Sequence, residues 1–98
     1  MKAFLSKRAA RAADRIAARW REHADDPDVF ARELLETIEL LETTRSPGSP
    51  FPTTKRPALK RMLLRKSRCH LYFEVDEPKQ MIRILHVWDG RRERPPKL

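Results

Sequence analysis

Cys69-His70-Leu71-Tyr72-Phe73-Glu74-Val75-Asp76 is the stretch that decides the fold. Cys69, Leu71, Phe73 and Val75 alternate with His70, Tyr72, Glu74 and Asp76, a period of two that sends each set to one face of a β-strand. The apolar set must be covered by another layer, which leaves the second set for solvent or a ligand. Asp76-Glu77-Pro78-Lys79 follows as a turn, with Pro78 suited to its second position. Met81 to Trp88 then reads as a strand that is apolar on both faces apart from Arg83 and His86, the mark of a central or well-covered strand. Upstream, Leu59 to Lys66 reads as another. Three consecutive strands with short turns predict an antiparallel meander over 59–88.

Two helices precede the meander. Ser6 reads as an N-cap, because its hydroxyl can accept from a free amide of the first turn. Lys7 to about Ala24 is rich in Ala and Arg, both strong helix formers. Ala9, Ala13, Ile16 and Trp20 share one face, and Arg8, Arg11, Arg15 and Arg19 make a basic flank. Asp25-Asp26-Pro27 breaks the chain, with Asp26 as a second N-cap and Pro27 at the first helical position. From there to about Thr44, Phe30, Leu34, Ile38 and Leu41 form an apolar stripe, widened by Leu35 and Leu40. Glu33, Glu36, Glu39 and Glu42 line the other side. The short connection predicts an antiparallel helical hairpin over 7–44. Residues 45–57 hold Pro47, Pro50, Pro52, Pro57 and Gly48, a density that no helix or central strand survives. Lys2 to Leu5 reads as a short edge strand, and 89–98 is a basic tail held extended by Pro95 and Pro96. The expected class is α+β: one domain, 1–98, with a short N-terminal strand and an antiparallel helical hairpin packed on an antiparallel β-meander of three further strands.

Charge is distributed unevenly along this order. Residues 1–49 hold nine Lys/Arg and nine Asp/Glu, whereas 50–98 hold thirteen and five, so the whole net charge of +8 falls in the second half. A basic face of that kind suits nucleic acid, an anionic membrane or an acidic protein. No apolar run approaches the roughly 20 residues of a membrane span, which removes integral membrane roles. The single Cys69 forms no internal disulfide and, in phase with Leu71 and Phe73, reads as a small buried hydrophobe. With no signal peptide apparent, a cytoplasmic location is expected. One Cys and three His at 23, 70 and 86 make no metal-ligand set, and two glycines make no phosphate loop, so neither metal nor cofactor is expected.

The candidate functional residues are basic and aromatic. Lys55, Arg56, Lys60, Arg61, Arg65, Lys66 and Arg68 fall within fourteen residues. They suit a phosphate-tracking patch, an aggregation-resistant strand edge or a socket for an acidic partner. Arginines can grip phosphate bidentately. His70 and His86, on adjacent strands, have tunable protons, and each is equally a plain surface or cross-strand histidine. His23 reads as a favourable charge at a helix end. Trp88 reads as a core anchor, with a stacking platform for a base as its other use. The binding candidates are Arg61, Arg65, Arg83, His86, Trp88, Arg91, Arg92 and Arg94. His70 is a catalytic candidate if there is catalysis.

Arg61-Met62-Leu63-Leu64-Arg65, the stretch 69–76, and Ile84-Leu85-His86-Val87-Trp88-Asp89-Gly90-Arg91-Arg92, with Ser6-Lys7-Arg8-Ala9 at the first helix, together resemble the RelE/ParE superfamily of type II toxins. The resemblance spans nearly the whole chain. It implies a toxin that arrests growth, acts in plasmid stabilisation and is neutralised by a cognate acidic antitoxin, as a dimer or hetero-oligomer with it. RelE-like members cut messenger RNA on the ribosome, and ParE-like members poison DNA gyrase. Arg61 and Arg92 match two basic residues of the nuclease members, so the resemblance implies Arg61 and Arg92, with His70, as the catalytic candidates. Leu63 and His70 stand where those members have a lysine and an arginine, and Pro95-Pro96-Lys97-Leu98 supplies no tyrosine. The resemblance is therefore to the ParE-like variant more than to the RNA endonucleases, with a non-toxic antitoxin-binding member as a further alternative.

Overall fold

The computed structural model describes every residue except Ala24, Ser46, Arg92 and Glu93, and every other side chain except that of His23. The readings placed on Arg92 and on the His23 side chain lie outside the described residues. Seven elements follow in order: β1 (Lys2–Leu5), α1 (Lys7–His23), α2 (Val29–Thr43), β2 (Ser49–Pro50), β3 (Lys60–Leu64), β4 (Cys69–Asp76) and β5 (Met81–Asp89). The strands form one sheet in the order β1-β5-β4-β3-β2. The expected meander β3-β4-β5 is its antiparallel centre. At the margins, β1 joins β5 in parallel, and the proline-rich loop contributes the two-residue edge strand β2. Pro50 is tolerated in β2 because an edge strand needs only one row of hydrogen bonds.

The apolar set of β4 packs as its alternation requires. Cys69, Leu71 and Phe73 are each at most 1% exposed and meet Ala9, Ala13 and Ile16 of α1 and Phe30, Leu34 and Leu41 of α2 in one cluster. Burial pushes the Cys69 thiol up to about 11, so it stays protonated and inert. The double-sided apolarity of β5 has a specific cause. Tyr72 pairs with His86 but Phe73 pairs with Ile84, so Leu85 is a bulged extra residue. The bulge shifts the phase of the strand, and Ile82 and Ile84 before it and Val87 after it all reach the same core.

The helix ends show which sequence signals operate. Ser6 caps α1: its Oγ accepts from the Ala9 amide at 3.0 Å and donates to the Leu85 carbonyl at 3.0 Å. α2 starts later than the Asp26-Pro27 signal predicts, at Val29, and its N-cap Asp28 makes no side-chain cap bond. The Asp26 carboxylate is instead taken by the Arg32 guanidinium at 2.6 Å.

The apolar stripe of α2 is narrower than the sequence suggests. Leu35 and Leu40 are 68% and 45% exposed, while Phe30, Glu33, Leu34, Thr37 and Leu41 face inward. Leu35 sits about 100° around the helix from Leu34, off the buried arc. Glu33, which the acidic periodicity assigns to the outer side, is buried. Its carboxylate accepts from the Lys66 amide at 2.7 Å, the Ser67 amide at 2.9 Å and Ser67 Oγ at 2.6 Å, tying α2 to the β3–β4 turn. β3 accordingly ends at Leu64, not Lys66, and Arg68 turns the chain with a left-handed φ of 58°.

Candidate functional site

The helices cover one face of the sheet, and the second set of β4 looks the other way. There His70 and Tyr72 stand beside Trp88 and His86 of β5 and Leu63 and Arg61 of β3, all by direct cross-strand pairing. Arg61, His70, Tyr72 and Trp88, with Phe51 from the proline-rich loop and Gly90, Arg94 and Pro95 beyond β5, line a cleft of about 290 Å³. Among the described residues, two arginines and a histidine line it and no carboxylate does.

The geometry fixes the cations in place. The Arg61 guanidinium lies over the Phe51 ring, 4.5 Å from its centroid, a cation–π arrangement. Tyr72 also meets Phe51, edge to face with ring centroids 5.5 Å apart. Arg61 Nη1 stands 3.5 Å from His70 Nδ1. A guanidinium only donates, so this contact assigns the His70 proton to Nε2. Burial, and then the Arg61 charge, hold the His70 pKa below the ordinary histidine value. Both effects favour the neutral imidazole, which presents an acceptor to Arg61. Tyr72 is fully buried at the floor, and its hydroxyl has no hydrogen-bond partner among the described residues.

Gly90 is required by close approach. Its amide donates to the Arg68 carbonyl at 2.8 Å, and a Cβ there would lie 2.3 Å from that oxygen and 3.4 Å from His70 Nε2. Asp89, 7% exposed, anchors the start of the tail. It accepts from the Arg91 amide and guanidinium at 3.0–3.2 Å and pairs with Arg19 at 3.5 Å. Burial works to raise the Asp89 pKa, but the Arg91 bonds and the two charges outweigh it and hold the carboxyl low. The tail is not the free arm its prolines suggest. Trp88 Nε1 donates to the Arg94 carbonyl at 2.8 Å, and Arg8 donates to the Lys97 carbonyl at 2.7 Å, folding the tail back on the domain.

Of the sequence candidates, Arg61, His70, Trp88 and Arg94 meet in the cleft. Arg65 is exposed on the β3–β4 turn, away from it. Arg83 is 3.5 Å from Glu74, which also takes Arg56 at 2.9 Å. Arg91 is committed to Asp89. His86 is 3% exposed and borders a separate narrow groove with Arg15 and Arg19 of α1, so the two histidines do not share one site. Trp88 is half-buried between the two spaces and stands outside the core cluster. The basic run 55–68 does not form one stripe. Lys60 borders a larger groove of about 760 Å³ on the helical side, floored by Leu41, Val75 and Ile82, while Arg61 faces the cleft. Sequence reasoning missed Phe51 and Tyr72 as site residues. Tyr72 was signalled by its phase with His70, and Phe51 by being the one aromatic in the proline-rich loop.

Among the described residues there is no group of acidic, histidine or cysteine side chains able to hold a metal, and no helix is long and apolar enough to cross a membrane. No family model and no curated protein matches the sequence. Solved structures do match in fold. A chain of the chromosomal ParDE TA system from P. aeruginosa superposes with a TM-score of 0.70 at 18% identity, covering 91% of this chain and 95% of that one. The isolated E. coli RelE toxin gives 0.57 at 19% identity, covering 94% and 86%. A chain of the intact E. coli RelBE toxin-antitoxin complex gives 0.55 at 19%, covering 93% and 98%. The chain thus has the RelE/ParE fold over nearly its entire length.

Proposed function

We propose that this chain is the toxin of a toxin–antitoxin pair, acting in the cytoplasm on DNA gyrase in the ParE-like manner and neutralised by an acidic antitoxin. The observation that carries the reading is the near end-to-end likeness to a ParDE chain, with the RelE chains following at lower TM-scores. The electrostatics support the kind of partner. A net charge of +8 on so small a domain repels a second copy and attracts a segment rich in Asp and Glu. α1 adds six cations against two acids, so the attractive surface includes a helix as well as the sheet.

A second reading, ribosome-dependent RNA cleavage, is favoured by one observation: Arg61 and His70 stand 3.5 Å apart in a cleft lined by no carboxylate among the described residues. There the guanidinium would balance phosphorane charge and the imidazole would move a proton. One experiment separates the two. The chain is induced in bacteria with and without the acidic product of the neighbouring reading frame. Growth is followed with plasmid supercoiling and with primer extension on abundant messages. The proposal expects arrest relieved by the partner, loss of supercoiling and intact messages. Truncated messages with normal supercoiling transfer the assignment to RNA cleavage, and growth unaffected by induction refutes both.

A further inference from the structure

We propose that the arginine flank of α1, on the opposite side of the sheet from the cleft, is a docking surface for one backbone of duplex DNA. The choice of DNA rests on the gyrase reading above, whose target works on DNA duplexes. The surface is argued independently of it.

Three observations carry the inference. The first is the row itself. Arg11, Arg15 and Arg19 recur every four residues of α1, with Arg8 just before them. Four helical residues rise about 6 Å, so the guanidiniums repeat at that interval along a rigid rod. Like charges at this spacing weaken a helix. Arg11 and Arg15 have no hydrogen bond or ion pair among the described residues to offset the repulsion. The acids of α1 are Asp14, set about 100° round the helix from Arg15, and Glu22 in the last turn.

The second is the returning tail. Arg19 pairs with Asp89 at 3.5 Å, and Arg8 donates to the Lys97 carbonyl at 2.7 Å. These contacts lie at opposite ends of the row, so the segment after β5 travels back along α1 against its direction. It places Arg91 beside Arg19, across the Asp89 carboxylate that both share, and Lys97 beside Arg8. The tail thus lengthens the basic row at both ends.

The third is what the flank lacks. Among the described residues, the exposed large hydrophobic side chains are Met1, Phe4, Leu5, Leu35, Leu40 and Leu63 and the end of the tail aside, none lies on this surface; Ile16 and Trp20 of α1 pack against the core. A membrane-surface helix inserts apolar side chains, and a protein interface buries an apolar centre. A single strand needs aromatic faces to stack on. The groove beside Arg15 and Arg19 holds about 50 Å³, too little for a base. A duplex backbone needs only cations, because its bases are turned inward and each strand carries a phosphate about every 3.4 Å of axis. Arg11 to Arg19 spans about 12 Å, enough to face about three phosphates of one strand.

The test uses the purified full chain and fluorescence anisotropy in rising salt. The probes are a mixed-sequence DNA duplex of sixteen base pairs, an RNA duplex and a DNA single strand of the same length, and poly-glutamate. The DNA duplex should bind most tightly, with a slope of log affinity against log salt of about −3. Arg11→Gln and Arg15→Gln should each make that slope shallower by about one, and together weaken binding at least tenfold at low salt. Glutamine keeps helix propensity, and circular dichroism checks that the variants fold. Lys55→Gln with Lys79→Gln, a charge-matched pair on exposed loops, should cost less than threefold. Equal losses from the two double variants would reduce the effect to general attraction and overturn the proposal. Tighter binding of the RNA duplex, the single strand or poly-glutamate would overturn it too. The readout contains no gyrase, partner or growing cell. Supercoiling lost in cells without this DNA contact therefore sinks the present proposal alone, and DNA bound without growth arrest sinks the toxin reading alone.

Discussion

Replacing Glu33 by alanine tests the least expected feature of the fold. Three donors converge on this carboxylate, and two of them, the Ser67 amide and Ser67 Oγ, belong to a residue only 3% exposed. Lys66 is exposed, so water can replace the carboxylate at its amide. Two buried donors left unsatisfied cost about 2–4 kcal/mol together. A domain of this size has roughly 5–15 kcal/mol of stability in all, so the loss is a large fraction. The assay is urea unfolding followed by circular dichroism, with Glu36→Ala and Glu39→Ala as controls. Both controls sit on the exposed side of the same helix and carry the same change in helix propensity, which therefore cancels. Glu33→Ala should lower the midpoint by roughly 1–2 M urea relative to them.

Acid provides a second arm. Burial works to raise the Glu33 pKa, but the bonds from Ser67 Oγ and the two amides outweigh it and hold the folded value below 4.5. A carboxyl depressed in the folded state stabilises above its unfolded pKa, and that stabilisation is lost as pH falls through the folded value. Wild type should thus lead Glu33→Gln at pH 7, with the gap narrowing once pH drops below about 4.5. If Glu33→Ala unfolds within 0.5 M urea of Glu36→Ala, or the gap to Glu33→Gln is flat with pH, the latch between α2 and the β3–β4 turn contributes nothing and the reasoning fails.

Three further outcomes follow from the same structure. Gly90→Ala drives a methyl to 2.3 Å from the Arg68 carbonyl, so it should lower thermal stability by several degrees and displace His70, seen as a changed imidazole titration by NMR. Ser6→Ala removes the α1 cap and the Leu85 contact and should cost about 1–2 kcal/mol in chemical unfolding, with Ser6→Thr recovering most of it. Leu34→Ala should cost about 2–5 kcal/mol and Leu35→Ala under 0.5, since one side chain is 9% exposed and the other 68%.

The parts of this fold legible in the sequence are those set by local periodicity. The alternation of 69–76, the Ala-rich face of α1 and the Ser6 cap each depend on residues a few positions apart. What escaped is set by contacts across the chain. Glu33 looks like one tooth of an acidic comb until the turn at 66–67 arrives to claim it, thirty-three residues later. The bulge at Leu85 is invisible locally, because a phase shift in an apolar strand looks like double-sided burial. The cleft was half legible. Arg61, His70 and Trp88 fall on strands whose register brings them together, but Phe51 comes from a loop whose prolines announce only irregularity. The tail misled for a related reason: Pro95 and Pro96 forbid a ladder but not the side-chain bonds from Trp88 and Arg8 that hold it down.

The two faces of the sheet divide the work between them. On the helical side, stability rests on Phe73, Leu71, the Ser6 cap and the Glu33 latch, each of which needs its partner on another element. On the open side, Arg61, His70 and the exposed Leu63 make few contacts that the fold requires. Substitutions there change charge and shape without opening the core, so the domain should stay folded when they are made. The same division fits a fold this chain shares at 18–19% identity with a ParDE chain and a RelE chain: covering β4 is the packing problem the architecture must solve, and the face turned away from it carries fewer packing constraints.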